Sequence, residues 1–425
     1  MSKDPSDWTR QFIDLLPEGA TIDDTGELRI AGCRASDLAA RYGTPLYVVD
    51  EGALRARVRR FRTALEQGWP NSMVHFASKA FPSTSAYQLM AEEGVGVDVA
   101  GGGELVMALA GGTNPAHIVV HGNAKTDAEI TMALDAHVGL IVVDNFDDVE
   151  KLERLATSRQ DVLVRVIPGI EAPTHEAMAT GQHRSKFGLN RADAATAMER
   201  IRASRHLRLR GVHVHIGSQI SDLAPFREAV EAVASLGTFE IYDVGGGLGA
   251  RYTFDDVAPE PEDWIAALTQ TARRVLPASS RLLIEPGRSM VARSGVTLYR
   301  VVSVKRGEPT FVAVDGGMGD NLDVSLYGQR FEAALVDRIR EGAPAELVGR
   351  HCESGDRLVS NALLGDAVPG DVIVVAATGA YCFTMANNYN GALRPAVVYC
   401  GDGESVLRVR RETYDDLTAR DVASL

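Results

Sequence analysis

Eight short apolar runs recur along the chain, at 73–80, 95–100, 118–122, 139–144, 162–169, 211–218, 241–247 and 282–287. Each runs out into polar residues or glycines. The segments between them, such as 126–136, 147–157, 224–236 and 262–275, space their apolar residues as helices do. Alternation of this kind predicts parallel strands joined by helical crossovers. Closing eight such units into a (β/α)₈ TIM barrel is more economical than extending an open sheet, and an open doubly wound sheet is the alternative architecture. In a barrel the functional side chains gather where the strands end.

The texture changes after about residue 296. Stretches 297–305, 310–314, 371–377 and 397–409 read as strands punctuated by Gly, Pro and Asp, with no long helices between them. Residues 1–44 carry a short strand, Leu28-Arg29-Ile30, and a helix over 36–42 that can join this β-rich region. The expected organisation is a barrel over 45–296 and an all-β domain over 297–425 completed by 1–44. A chain of 425 residues, 45% hydrophobic and 24% charged, is long enough for two such domains. Its net charge of −13 argues against nonspecific nucleic-acid binding, which needs clustered positive charge. Residues 1–7 form no apolar leader, and no apolar run approaches membrane-spanning length. Cys33, Cys352, Cys382 and Cys400 lack the paired spacing of a zinc site or disulfide framework, so they read as reduced thiols of a cytoplasmic protein.

Lys79 falls at the end of the first run. At a barrel mouth a lysine is a candidate Schiff-base nucleophile, although at a strand end it is otherwise an ordinary surface residue. After the seventh run comes Asp243-Val244-Gly245-Gly246-Gly247-Leu248-Gly249-Ala250. It formally matches the dinucleotide fingerprint, but it follows the wrong strand and opens no clean helix. Consecutive glycines can instead offer backbone N–H groups to an anion, in a loop where barrels bind phosphate; a tight turn is the alternative. The eighth run ends in Glu285-Pro286-Gly287-Arg288. A carboxylate there needs a partner, for which a protonated pyridine nitrogen is suited, and Arg288 can hold a phosphate or carboxylate. His213 and His215 share one strand face by the period of two. One imidazole can stack on a flat ring, and His213 reads as an ordinary core histidine. No further clustered His or Cys completes a metal site around the pair, so no metal is expected. Lysine, glycine nest, carboxylate and imidazole together describe pyridoxal 5′-phosphate. A protonated ring favours decarboxylation or racemisation at Cα.

Further segments carry a resemblance. They are Phe76-Ala77-Ser78-Lys79-Ala80, Gly102-Gly103-Glu104-Leu105, His121-Gly122-Asn123-Ala124-Lys125 and Ser185-Lys186-Phe187-Gly188-Leu189. After the strand-six to strand-eight motifs follow His351-Cys352-Glu353-Ser354-Gly355-Asp356, Ala380-Tyr381 and Asn388-Tyr389-Asn390. In this order the chain resembles the diaminopimelate decarboxylases, fold-type III (alanine-racemase-like) pyridoxal enzymes, over nearly its whole length. Alanine racemases lack the Cys-Glu-Ser motif, which favours decarboxylation. The resemblance implies that Lys79 forms the Schiff base and His215 stacks on the ring. It puts Ser218, Gly245, Gly246, Gly247, Gly287 and Arg288 at the phosphate side and Glu285 at the pyridine nitrogen. Cys352 would protonate Cα after CO₂ leaves, Glu353 would hold the substrate's distal ammonium, and Tyr381 would contact cofactor and substrate. It also implies a homodimer in which the Cys352-Glu353 segment comes from the partner subunit. Without the resemblance, Cys352 reads as a buried structural thiol.

One segment departs from that pattern. Where the resembled family carries Arg-Pro-Ala, this chain has Asp323-Val324-Ser325. The family's arginine grips the distal carboxylate of diaminopimelate. Its loss costs roughly 1.5–3 kcal/mol, about ten- to a hundredfold in affinity. Arg288, Tyr327 and Glu353 are left to line the substrate. The expected reaction is conversion of meso-diaminopimelate to L-lysine and CO₂. The alternative substrate is another small amino acid, either basic like lysine or ornithine, or with its distal carboxyl masked, as by linkage to a carrier protein.

Overall fold

The structure, a computed structural model, describes residues 7–170 and 185–422. The sequence reading of residues 1–6 lies outside them. Two compact units are present: Arg57–Gly249 with Val257–Met290, and Met1–Ala56 with Ala250–Asp256 and Val291–Leu425.

In the first unit eight strands close into a parallel barrel. In ring order they are Ser72–Ala77, Gly96–Val99, Ile118–Val120, Leu140–Val143, Gln160–Arg165, Leu207–His213, Ile241–Asp243 and Arg281–Ile284. The eighth pairs with the first, Leu283 opposite Met73, which removes the open-sheet alternative. Every strand stops short of the C-terminal end of its hydrophobic run. The ladder ends where side chains take over the backbone donors: the Ser78 N–H donates to Asp98 Oδ1 (3.2 Å) and the Gly245 N–H to Asp243 Oδ1 (2.9 Å). Four of the described helices between them begin on side-chain caps. Ser83, Asn145 and Asn190 cap Thr84–Glu92, Phe146–Leu155 and Arg191–Ala203, and Thr126 with Glu129 forms a capping box ahead of Asp127–Asp135.

Val119, Leu140, Val142, Leu163, Ile241 and Leu283 form one cluster, with Met73 packed against it. Six of the eight strands contribute to it, so it lies inside the barrel.

The second unit is built on Gly295–Lys305, which pairs antiparallel with Leu46–Asp50, Phe311–Val314 and Val372–Val375. Leu46–Asp50 also runs parallel to Ala396–Gly401. The expected boundary at residue 45 is thus displaced. Leu46–Asp50 is buried at every position, and its two hydrogen-bonded edges belong to the β-rich unit. The expected single stretch 397–409 is a hairpin, Ala396–Gly401 and Glu404–Val409. Asp402 and Gly403 turn it with φ of 52° and 80°, the positive pair that a two-residue hairpin turn demands. Phe12, Leu15, Leu28 and Ile30 share a core with Val48, Leu298, Val374 and Val398, so the N-terminal segment completes this unit.

Candidate active site

The period of two carries the barrel's apolar interior into a polar layer. Two residues beyond Met73, Val119, Val142, Leu163, Ile241 and Leu283 stand His75, His121, Asp144, Arg165, Asp243 and Glu285, all buried. Asp98 and His213, at the ends of strands two and six, are buried as well.

Glu285 is bonded on both oxygens. Its Oε1 lies 2.6 Å from His121 Nε2, and its Oε2 lies 3.1 Å from His213 Nε2. Burial alone would raise this carboxyl, but the two imidazoles outweigh it and hold Glu285 well below the usual range. Burial pushes His213 down to about 4 against the pull of Glu285, so the ring is a neutral imidazole. Asp98 and Asp243 are displaced the other way, raised well above the ordinary carboxylate range by burial and then by Glu285. Arg165 is a buried cation of the layer, its guanidinium 4.6 Å from the centre of the Phe187 ring.

The expected pairing of His213 with His215 on one face does not hold. Strand six ends at His213, and His215 lies in the loop beyond, where its Nδ1 accepts the Gly246 N–H at 3.3 Å. Burial, then the charge of Lys79, lowers His215 well below its usual range. The ground on which a metal was excluded also changes. His213 is grouped with His121 and Glu285, whose ligand atoms lie within 4.8 Å of one another.

Lys79 sits beyond the first strand, on the single 3₁₀ turn Ser78–Ala80, and is exposed. Ser78 anchors the turn to Asp98, and the Ala77 N–H donates to Pro286 O at 3.2 Å. A Cβ at Gly287 would come within 2.8 Å of Ala77 Cβ, so glycine lets the strand-eight loop lie against the lysine's turn.

In the glycine run, Gly245 and Gly247 adopt φ of 67° and 118°, and a Cβ at Gly246 would sit 2.0 Å from Glu285 O. The tight turn and the close approach are both real. The N–H groups of Gly245 and Gly246 are spent on Asp243 and His215. The nest offered to an anion is smaller than expected: of the three glycines, it is Gly247 whose N–H has no hydrogen-bond acceptor among the described residues. Beside it Arg288, buried, donates from Nε to Ser218 Oγ at 3.2 Å.

The remaining candidates lie in the β-rich unit. Cys352 and Glu353 are both exposed, so the buried-thiol reading of Cys352 is wrong. Asn390 Oδ1 accepts the Cys352 N–H at 2.9 Å, the Tyr389 hydroxyl donates to Glu353, and His351 stacks on Tyr389 at 5.7 Å. Asp356 fixes the same loop by accepting from the N–H groups of Met318 and His351. Asp323 and Tyr327 lie on the short helix Leu322–Tyr327, with Asp323 1% exposed and Tyr327 half-buried. The neighbouring Ser325 Oγ donates to Gly355 O at 3.3 Å. Tyr381 has a left-handed backbone, φ 67°.

Sequence reasoning passed over Asp98, Asp144, Arg165 and Asp243, and assigned no role to His121. For Asp144, Arg165, Asp243 and His121 the common signal is a titratable residue two positions after an inward residue of a barrel strand.

Residues 51–292 match the family model of the pyridoxal-dependent decarboxylases, pyridoxal-binding domain. The diaminopimelate decarboxylase of Actinosynnema pretiosum is 45% identical, the alignment spanning 96% of this chain and 95% of that one. That of Bacillus subtilis is 42% identical over 93% and 95%. Among solved structures, the diaminopimelate decarboxylase of M. jannaschii in complex with L-lysine superposes with a TM-score of 0.89 at 31% identity, covering 96% of this chain and 98% of that one. The chain belongs to the pyridoxal-dependent decarboxylases and, within them, to the diaminopimelate decarboxylase family. Its cofactor is pyridoxal phosphate, and the barrel fits it: a turn that only glycine can form stands beside a buried arginine, near a carboxylate held anionic.

Proposed function

We propose that the enzyme decarboxylates meso-diaminopimelate to L-lysine. The supporting observation is near-full-length likeness to diaminopimelate decarboxylases, combined with a barrel mouth in which Glu285 and Arg288 are buried beside the glycine loop. Bound there, the protonated pyridine ring supplies an acceptor for the electron pair left on Cα when CO₂ departs. Lys79 holds the cofactor through its ε-amine. Arg288, Ser218 and the Gly247 backbone would hold the phosphate, in the loop that Gly245 and Gly246 shape and with Gly287 letting the strand-eight loop lie against the lysine's turn. His215 would lie against the ring, Glu285 would accept the ring N–H, and Tyr381 would touch the cofactor. The exposed Cys352 thiol delivers the proton to Cα, and Glu353, bonded by Tyr389, holds the distal ammonium.

The assembly we propose is a homodimer in which Cys352 and Glu353 serve the partner's barrel. Its place is the cytoplasm, in keeping with four free cysteines. Among the described residues no helix is long and apolar enough to cross a membrane.

Purified protein offered a panel of amino acids, with CO₂ release as readout, tests the substrate. Diaminopimelate should be turned over best; preference for lysine, ornithine or a carrier-linked amino acid would move the assignment to the second reading, which Asp323 favours. Borohydride should fix the cofactor on the Lys79 peptide, and Lys79→Ala should abolish turnover while leaving the protein folded. Recovery of the label on another lysine would refute the assignment.

A further inference from the structure

Strands three and six each aim a histidine at one carboxylate, and the proposed reaction gives neither of them a task. We propose that His121 and His213 are positioning residues, whose Nε2–H groups grip the two oxygens of Glu285 and present it to the cofactor's ring nitrogen as an anion. This rests on the reading that Glu285 meets that nitrogen.

The contacts of 2.6 and 3.1 Å occupy one oxygen each. If both imidazoles donate, neither contacted oxygen can carry a proton toward its partner, and the remaining lone pairs suit a third donor. His213 Nδ1 has no hydrogen-bond partner among the described residues. An unpaired acceptor is more readily tolerated in a buried site than an unpaired N–H, so the proton belongs on Nε2, facing Glu285. The two rings sit edge to face, centroids 4.8 Å apart.

The surroundings show why such a grip is needed. Asp243 on strand seven and Asp98 on strand two face Glu285 as acids. Arg165 on strand five is a cation in reach, and His75 on strand one and His215 beyond strand six are imidazoles whose charged forms burial disfavours. Lys79 acts on Asp98 and His215 and is consumed in holding the cofactor. Stripped of its two N–H donors, a buried carboxyl among acids takes up a proton, and the ring nitrogen loses its acceptor.

The test uses the purified holoenzyme without substrate, following the visible absorption of the bound cofactor from pH 6 to 9. Wild type should show no transition attributable to Glu285. His213→Leu and His121→Leu should introduce one, and kcat should fall at least about tenfold more steeply toward pH 6 than in wild type, with KM less affected. The Gln variants, whose amide N–H takes the place of Nε2–H, should restore both. Where a Leu variant does not fold, His213→Asn, which withdraws the donor but keeps a polar group, must show the shift that His213→Gln lacks. Glu285→Gln separates the two readings: an unchanged spectrum there means Glu285 does not meet the ring. A changed spectrum with wild-type behaviour in the Leu or Asn variants overturns the role of the histidines. So does a stoichiometric transition metal in the wild-type protein, because a metal-bound Nε2 cannot donate.

Discussion

At the scale of single residues, Asp323 is where the sequence departs from the pattern of the family it resembles. If this position lines the distal pocket as the resemblance implies, a free distal carboxylate would meet an acid in place of an arginine, a change of two charge units. The structure adds that Asp323 is 1% exposed, so the larger arginine would overpack its surroundings. Asp323→Asn is the sharper probe, near-isosteric and without the charge. If Asp323 faces the distal group, the variant should raise kcat/KM on diaminopimelate about tenfold, the equivalent of roughly 1.4 kcal/mol. An unchanged value would show that Asp323 serves the fold of the β-rich unit and that the distal carboxylate is held elsewhere. The motif residues themselves were legible in the sequence because each sits in a short, distinctive string. The layer around Glu285 was not. Asp98, His121, Arg165 and Asp243 are separated by strands and helices, and their convergence depends on which way each strand faces. Facing can be read from period two only once the inward apolar residue of each strand is known. His215 shows the limit of that rule, because the strand ended two residues before it and its ring turned to the glycine loop.

At the scale of elements, the eight hydrophobic runs were visible but their C-terminal ends were read too long. The apolar pattern persists past the point where the backbone leaves the ladder, and the side chains that pull it away are the polar ones of the site. The strand Leu46–Asp50 was assigned to the wrong unit for a related reason. Five buried residues in a row reveal a strand covered on both faces, and not which sheet covers it. The glycine run makes a quantitative prediction. Gly246→Ala would put a Cβ 2.0 Å from Glu285 O, and that carbonyl is main chain at the end of strand eight. Strands seven and eight must separate to admit it. The expected cost is about 1–3 kcal/mol in denaturant-monitored stability, with cofactor affinity falling alongside, because the backbone that moves carries both Glu285 and the phosphate loop. Gly103→Ala is the matched control. It lies in the helix Gly102–Ala110 with nothing within 4 Å of the new Cβ, so it should be neutral or stabilise by up to about 1 kcal/mol. Equal effects from both variants would show that the cradle is looser than its geometry.

At the scale of the whole molecule, the proposed chemistry is divided between two compact units of the chain. Lys79, His215, Glu285 and Arg288 belong to the barrel, and Cys352, Glu353 and Tyr381 to the β-rich unit. The loop bearing Cys352 is rigidly built, with Asp356, Asn390 and Tyr389 fixing its backbone and the Glu353 carboxylate, yet the thiol it presents is exposed. A side chain so carefully placed and left uncovered suits a task outside its own loop, and the proposed homodimer supplies one, the partner's cofactor. That arrangement is open to a genetic test. Lys79→Ala and Cys352→Ala are each expected to be nearly inactive alone, the first for want of the cofactor's anchor and the second through kcat more than KM. Mixed under conditions in which subunits exchange, half of the dimers become hybrids at equal concentrations and random pairing. In a shared-site hybrid one site carries both lesions and the other carries none, so about a quarter of wild-type activity should return. If each subunit instead completes its own site, every site in the mixture keeps one lesion and nothing is regained. Subunit exchange is verified separately by mass-tagged chains. Absence of recovery in verified hybrids, or full activity in a stable monomer, would return Cys352 to the barrel of its own chain.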